Sequence, residues 1–326
     1  MKKLVLIIPY FGNFKNYFPL FLKSCRYNPK VDWLIITDND LKNLPNNVKV
    51  RRTTFEAIKS EFKKALSFQF FLEMPYKLCD FRPTYGQVFQ KEIEGYDYWG
   101  YCDSDLIFGD LSKFIDPLME KGYEKIFAAG HLTLYKNTKE NNLRYFKPYK
   151  GESQIERVFL SKENTGFDEA YYDRGNIHRI FLEDGATVFE EDYSANMAVC
   201  RDQFYLMKYN SVQGTFEEQP YKRTLYYWSN GKLFGLYDEQ GQLRKQEFLY
   251  IHFQDRNMKY ESNEIERSDH IYFVPNEFRL LREEDIPTTV ESLEQMDIEP
   301  RNNHLVELRI RIFRKKLNKL KKMLFD

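Results

Sequence analysis

The sequence predicts an α/β protein, a mixed sheet flanked by helices, and three observations carry that expectation. Lys3-Leu4-Val5-Leu6-Ile7-Ile8 is an unbroken apolar run, the pattern of a strand buried on both faces. A helix-patterned stretch separates it from a second such run, Val31 to Thr37, which is the spacing of a β-α-β unit with a right-handed crossover. A third run, Tyr96 to Cys102, is rich in aromatics and stops abruptly at Asp103-Ser104-Asp105.

Taken in order, the first strand ends at Pro9, and Tyr10-Phe11-Gly12-Asn13 forms the loop after it. Phe14 to Cys25 reads as a helix with Phe18, Phe21 and Leu22 on one side. The second strand ends in Asp38-Asn39-Asp40, and Val48 to Arg52 is a third, short strand. Phe55 to Leu72 is helical in pattern, and Met74 to Glu92 is expected as a further helix carrying Lys77, Asp80 and Arg82. Tyr98, Trp99, Tyr101 and Cys102 leave the next strand no solvated face.

In the second half, Lys125 to Ala129 is expected as a strand leading into Gly130-His131. Asn137 to Glu163 reads as a polar connection plus a helix, Phe167 to Leu182 as a helix, and Ala186 to Phe189 as a strand leading into Glu190-Glu191-Asp192. Asn230-Gly231 between two apolar runs is a β-hairpin turn. A last strand, Phe248 to Ile251, delivers His252. The expected organisation is one domain over residues 1–275, with halves at 1–124 and 125–275, followed by a linker and a basic amphipathic helix over 276–326.

With 326 residues, 42% hydrophobic and 17% aromatic, the chain has the composition of a globular protein rich in Tyr and Phe. Its 49 basic and 49 acidic residues cancel, but unevenly. From His304 to Asp326 there are eight Lys/Arg and two acids, leaving 41 basic and 47 acidic residues elsewhere. A mildly acidic body excludes a general nucleic-acid binder. The four cysteines, Cys25, Cys79, Cys102 and Cys200, show no paired spacing, which fits reduced thiols in a cytoplasmic protein and no zinc framework. Leu4 to Tyr10 is too short for a signal peptide, and no apolar stretch is long enough to span a bilayer.

In open α/β sheets ligands lie beyond the carboxyl ends of the strands. Two acids delivered there by one strand make an oxygen site for a divalent cation, which keeps positions open for substrate phosphates. Asp103 and Asp105 are therefore expected to hold a metal that holds a diphosphate. The competing use of Asp-Ser-Asp is to cap the helix starting near Leu111.

A strand-end acid (Asp38), a strand-end acid pair (Asp103, Asp105) and a late strand-end histidine (His252) form one arrangement. In this the sequence resembles the nucleotide-sugar-dependent glycosyltransferases of the GT-A fold, a Rossmann-like fold, over roughly residues 1–275. The likeness rests on Leu6-Ile7-Ile8-Pro9-Tyr10, Thr37-Asp38, Cys102-Asp103-Ser104-Asp105 and Tyr250-Ile251-His252-Phe253. It implies that Asp103, Asp105 and His252 bind Mn²⁺ (or Mg²⁺), and an imidazole among oxygens favours Mn²⁺. It further implies nucleoside contacts from Pro9, Tyr10 and Asp38, and donor contacts from Lys77, Asp80, Arg82 and His131. Asp192 is the implied catalytic base, with Asp168 as its rival. The family's habit implies a UDP-sugar donor, hexose transfer, and an oligosaccharide or lipid-linked glycan acceptor in a bacterial capsule or cell-wall polysaccharide pathway.

The tail places Leu305, Leu308, Ile312, Leu317, Leu320 and Leu324 near one stripe of a helix, with Phe313 beside it and basic residues over much of the remainder. That pattern is expected at an anionic membrane surface. The expected location is cytoplasmic, peripheral on the inner face of the membrane. Two other readings fit parts of the sequence. Asp103-Ser104-Asp105-Leu106-Ile107 resembles the nucleophile motif of haloacid-dehalogenase-type phosphatases, and the chain as a whole is compatible with a non-catalytic, membrane-associated glycan binder.

Overall fold

The computed structural model describes residues 2–170, 174–198, 203–219, 221, 223–254, 256–259 and 263–299, and in the tail 306, 309–310, 312–314 and 316–317. The strands of the first half are β1 (Leu4–Pro9), β2 (Val31–Thr37), β3 (Val48–Arg52), β4 (Tyr98–Cys102) and β5 (Leu106–Phe108). They are followed by β6 (Lys125–Ile126), β7 (Leu132–Lys136), β8 (Val188–Phe189), β9 (Ala195–Met197), β10 (Leu206–Asn210) and β11 (Thr215–Glu218). The last are β12 (Thr224–Ser229), β13 (Lys232–Glu239), β14 (Gln242–Phe248), β15 (Tyr250–His252), β16 (His270–Val274) and β17 (Glu277–Leu280).

Seven of them form a mixed sheet in the order β3-β2-β1-β4-β7-β6-β8. The first four are mutually parallel, and β7 runs antiparallel between β4 and β6. The period-two alternation of a strand divides β1 between two cores. Leu4, Leu6 and Ile8 pack with Phe18 and Phe21 of helix α1 (Phe18–Arg26) and with Leu111, Ile115 and Leu118 of the helix Leu111–Lys121. Val5 and Ile7 face the other way, towards Ile58 and Phe62 of helix α2 (Phe55–Ala65) and towards Phe81, Tyr85 and Phe181. The fold class read from the sequence is the one observed: a mixed α/β sheet covered by helices on both faces.

A second sheet, β11-β10-β9-β15-β5, adjoins the first. The chain leaves β4 in the first sheet and enters β5 in the second with only Asp103, Ser104 and Asp105 between them. A third, antiparallel sheet runs β14-β13-β12-β16-β17. At its Asn230-Gly231 hairpin both turn residues have positive φ, 49° and 80°, as a type I′ turn demands.

Several expected boundaries move. The helix expected from Phe14 starts at Phe18, next to Pro19, and the one expected to reach Leu72 stops at Ala65. The long helix expected over 74–92 is a chain of short turns between Pro75 and Val88, interrupted at Pro83, whose ring cannot donate a backbone hydrogen bond. The helix expected from Phe167 begins at Ile177, after an Asn176 cap. The strand expected to Ala129 ends at Ile126, because Phe127 turns to a φ of 72°. The strand expected over 248–251 is split at Leu249. Phe248 pairs with Leu233 in the third sheet, and Tyr250 pairs with Phe108 in the second.

The boundary expected near residue 275 falls inside the third sheet, between the paired strands β16 and β17. The presumed linker is likewise docked. Leu293 is buried against that sheet, and Arg223 donates to the carbonyls of Glu294 (3.0 Å) and Met296 (2.7 Å). Most of the basic tail, and Cys200, lie outside the described residues. Of the tail residues that are described, Val306, Ile310, Phe313 and Leu317 are helical, apolar and exposed.

Candidate active site

Strand register assembles the site. β7 pairs antiparallel with β4 so that Cys102 faces Leu132, and the Asp103 N–H then donates to the His131 carbonyl at 3.0 Å. β15 pairs antiparallel with β5 so that His252 faces Leu106, the residue following Asp105. The Phe253 N–H donates to the Asp105 carbonyl at 3.3 Å. Two strands far apart in sequence thus bring their ends to the three-residue passage between the sheets.

Asp103, Asp105 and His252 each offer one ligand atom, all within 4.8 Å of one another. His252 Nε2 lies 3.3 Å from Asp105 Oδ1 and 3.6 Å from Asp103 Oδ2. On the other side of the ring, His252 Nδ1 faces Asn196 Oδ1 at 3.1 Å, and that oxygen also accepts from Gln254 Nε2 at 2.7 Å. An amide oxygen accepting from Gln254 also accepts from Nδ1–H, which leaves Nε2 as the ring atom facing the acids, a proton donor to them or, with a cation between, its ligand. Burial lowers the His252 pKa, but Asp105 and then Asp103 outweigh it and the net shift is upwards. Two carboxylates and an imidazole oriented by an amide match the donor set of a divalent cation such as Mn²⁺. The alternative use of the acid pair as a helix cap falls to Asp110, whose Oδ1 accepts from Lys113 N at 3.2 Å.

Arg82 joins this cluster to the rest of the cleft. Its guanidinium pairs with Asp103, with Asp168 Oδ2 at 2.8 Å, and with the Gly130 carbonyl at 2.9 Å. Asp168 is almost fully buried, and its neighbour Glu169 accepts from the Gly130 N–H at 3.1 Å. Both carboxyls crowd Gly130, where a Cβ would sit 2.7 Å from the Glu169 carboxyl and 3.1 Å from Asp168 Oδ2, so any larger residue would push the Glu169 carboxyl aside. Burial pushes the Glu169 carboxyl up, and the Asp103 charge adds to it, against the Gly130 N–H. The His131 ring lies tilted against His252, 4.5 Å between ring centres, with Nδ1 facing the Tyr250 hydroxyl at 2.7 Å. Burial, then His252, pushes its pKa down and keeps the ring neutral, and its buried Nε2 has no hydrogen-bond partner among the described residues.

The other expected site residues are placed differently. Lys77 and Asp80 are buried in an ion pair of 2.7 Å, so neither faces a ligand. Asp192 is occupied structurally. Its Oδ1 accepts from Ser194 N (2.8 Å) and Oγ (2.6 Å), and its Oδ2 accepts from Tyr209 N (3.0 Å). Tyr10 donates to the Asn13 carbonyl at 2.9 Å and stacks on Phe14. Pro9 ends β1, and the exposed Asp38 beyond β2 accepts from Gly12 N at 3.4 Å. Glu169 and Asn196 were not singled out in the sequence. Glu169 is signalled only by its adjacency to Asp168, and Asn196 by nothing before its register opposite His252 is known.

The model of a family of unknown function (DUF6625) matches residues 6–282. No curated protein matches. Among solved structures, the chain is similar to galactosyltransferase LgtC in complex with donor and acceptor sugar analogs, at 12% identity over 59% of this chain and 75% of that one, with a TM-score of 0.35. Mouse xyloside xylosyltransferase 1 in its apo form matches at 10% identity over 61% and 88%, with a TM-score of 0.36. The glycosyltransferase GlyE in Streptococcus pneumoniae TIGR4 matches at 13% identity over 60% and 47%, with a TM-score of 0.31. Likeness at this level leaves the chemistry to be argued from the side chains.

Proposed function

The chain belongs to the family of unknown function DUF6625, and for it we propose metal-dependent glycosyl transfer: a hexose moves from a UDP-sugar to a surface-glycan acceptor, oligosaccharide or lipid-linked. The observation that carries this reading is the meeting of Asp103, Asp105 and His252 at the ends of β4 and β15. These three would hold a divalent cation, Mn²⁺ in preference to Mg²⁺, which when bound supplies neutralising charge for the departing diphosphate. Arg82 adds a fixed positive charge beside them and holds Asp103 and Asp168 in place. Neutral His131 offers its unpartnered Nε2 to the donor, and Pro9, Tyr10 and Asp38 flank the nucleoside end. Burial pushes both the Asp168 and Glu169 carboxyls up. Asp168 is interior and paired with Arg82, so the partly exposed Glu169 is the one suited to receive the acceptor hydroxyl's proton in place of Asp192.

Supporting features also bear on the rivals. A phosphatase nucleophile must present a free carboxylate, whereas Asp103 is engaged by Arg82 and lies beside His252. The basic tail, with exposed Val306, Ile310, Phe313 and Leu317, suits an enzyme held at the inner, anionic face of a membrane near lipid-linked acceptors.

Calorimetry of UDP with and without Mn²⁺ tests the site. Wild type is expected to bind only with the metal, and Asp103→Ala to lose at least about tenfold in affinity, or 1.4 kcal/mol. Equal binding by both proteins would discard the assignment.

A further inference from the structure

The loop 127–131, between β6 and β7, feeds the site largely through its backbone. The Gly130 carbonyl accepts from Arg82, the Gly130 N–H donates to Glu169, and the His131 carbonyl accepts from Asp103 N. Thr133 Oγ1 donates to the Ala129 carbonyl at 2.9 Å. The chain enters this loop through Phe127, a buried residue at a φ of 72°. The other non-glycine residues with positive φ among the described residues are Asn, Gln and Lys. A bulky apolar residue holds that conformation only when its surroundings impose it.

Two groups impose it. The Phe127 N–H donates to the Phe189 carbonyl at 2.8 Å, which carries the β6–β8 pairing one residue further. The Phe127 carbonyl accepts from Lys125 Nζ. Lys125 is fully buried, and among the described residues no carboxylate pairs with it directly. Its second contact is His178 Nδ1 at 3.3 Å, and its Nζ lies 5.9 Å from the Tyr135 ring centre. An imidazole that accepts from an ammonium at Nδ1 carries its proton on Nε2, where it donates to Glu190 Oε1 at 2.9 Å. The Glu190 side chain is 25% exposed, so the counter-charge stands one ring away, at the edge of the solvent. A buried ammonium with no acid bonded to it is costly, and the carbonyl it serves here is that of Phe127.

We propose that Lys125 is a positioning residue of the candidate active site: through Phe127 it fixes the turn that sets Gly130 against Arg82 and Glu169 and His131 against His252, with Glu190 balancing its charge across His178. This rests on the glycosyl-transfer reading above only for what the loop is positioned to bind. The groups that face Lys125 bear on it. Burial pulls the ammonium down to about 7, against the charges of Glu190 and Glu169. His178, lowered to about 4, stays neutral beside it, and Arg179 pushes both His178 and Glu190 down. Proton loss from Lys125 near neutral pH therefore weakens the hold on Phe127, because a neutral amine is a poorer donor than an ammonium.

Phe127-Ala128 is the one Phe-Ala step in the sequence, so labelling the full chain with ¹³C at phenylalanine carbonyls and ¹⁵N in alanine gives a single carbonyl–amide NMR signal, from this peptide. In wild type, without metal or nucleotide, that carbonyl is expected to shift between about pH 6 and 8.5 as Lys125 loses its proton. In Lys125→Met it should sit displaced and stay constant with pH. Affinity of that variant for UDP in the presence of Mn²⁺ should fall about tenfold, as the binding-competent loop becomes the minor form. Glu190→Gln, at the exposed end, should move the response to lower pH, and it keeps the test decisive if Lys125→Met does not fold. A carbonyl that ignores pH in wild type, or responds equally in Lys125→Met, overturns the proposal. So does a Lys125→Met protein that binds UDP as tightly as wild type. Wild type that fails to bind UDP strikes the glycosyl-transfer reading instead, and the carbonyl comparison still decides whether Lys125 holds the loop.

Discussion

Replacing Asp80 by alanine removes one carboxylate and leaves several groups without their acceptor. Asp80 is 0% exposed and its partner Lys77 1%. The carboxylate accepts from Lys77 Nζ at 2.7 Å, Thr165 N at 2.8 Å, Thr165 Oγ1 at 3.0 Å and Phe167 N at 2.9 Å. Losing one partner of a buried ion pair costs about 3–5 kcal/mol, because the remaining charge stays in the interior. Lys77 keeps two carbonyl acceptors, which offset part of that cost, while the buried Phe167 N–H loses its acceptor and adds about 1–3 kcal/mol. The net expectation is about 4 kcal/mol, read as a lower urea midpoint. Removing both charges, in Lys77→Met/Asp80→Leu, should cost about half as much, since no uncompensated ion remains. Arg82 and Asp168 flank the clamp, so UDP affinity in the presence of Mn²⁺ should fall in Asp80→Ala at urea concentrations where the chain is still folded. A loss below about 1 kcal/mol for Asp80→Ala, or a double variant no better than the single, would refute the reasoning that a paired interior charge holds these segments together.

Three further outcomes are expected. His178 is buried between Lys125 (3.3 Å) and Glu190 (2.9 Å), and its pKa is lowered to about 4, by burial first and by Lys125 next. The unfolded chain, with an ordinary imidazole, takes up this proton first as pH falls, so stability drops between about pH 6.5 and 4, by ~3 kcal/mol at most. Urea titrations at pH 4.5, 6 and 7.5 should show that slope and show it flattened in His178→Gln; identical slopes would remove His178 as its source. Gly100→Ala would press a methyl group against the Thr133 carbonyl and Leu134 across the β4–β7 pair, with a cost of about 1–3 kcal/mol and a lowered Tm; an unchanged Tm contradicts the packing described for that pair. Truncation after Asn303 should reduce co-sedimentation with vesicles containing anionic lipid, at about 1 kcal/mol per basic residue near the surface, and undiminished co-sedimentation refutes the membrane reading of the tail.

Local patterns alone determined much of this protein. The apolar runs at Leu4–Pro9, Val31–Thr37 and Tyr98–Cys102 read as buried strands, and a strand stopping at two acids marked the candidate site before any pairing was known. Asn230-Gly231 was legible because a type I′ turn admits few residue pairs. What no local pattern carried is which strand end meets which. His252 reaches the acids because β15 leaves the third sheet at Leu249 and pairs with β5, a choice made by burial of Ile107, Ile251 and Phe253 in a shared core. The same holds for charges. Lys77, Asp80, Arg82, Asp168 and Asp192 look alike in sequence, each a polar residue near a turn. Burial separates them, turning Lys77 and Asp80 inward as a clamp, fixing Asp192 to backbone amides, and leaving Arg82 and Asp168 at the cleft with Glu169. Desolvation and partner geometry decide such roles, and both are properties of the folded chain.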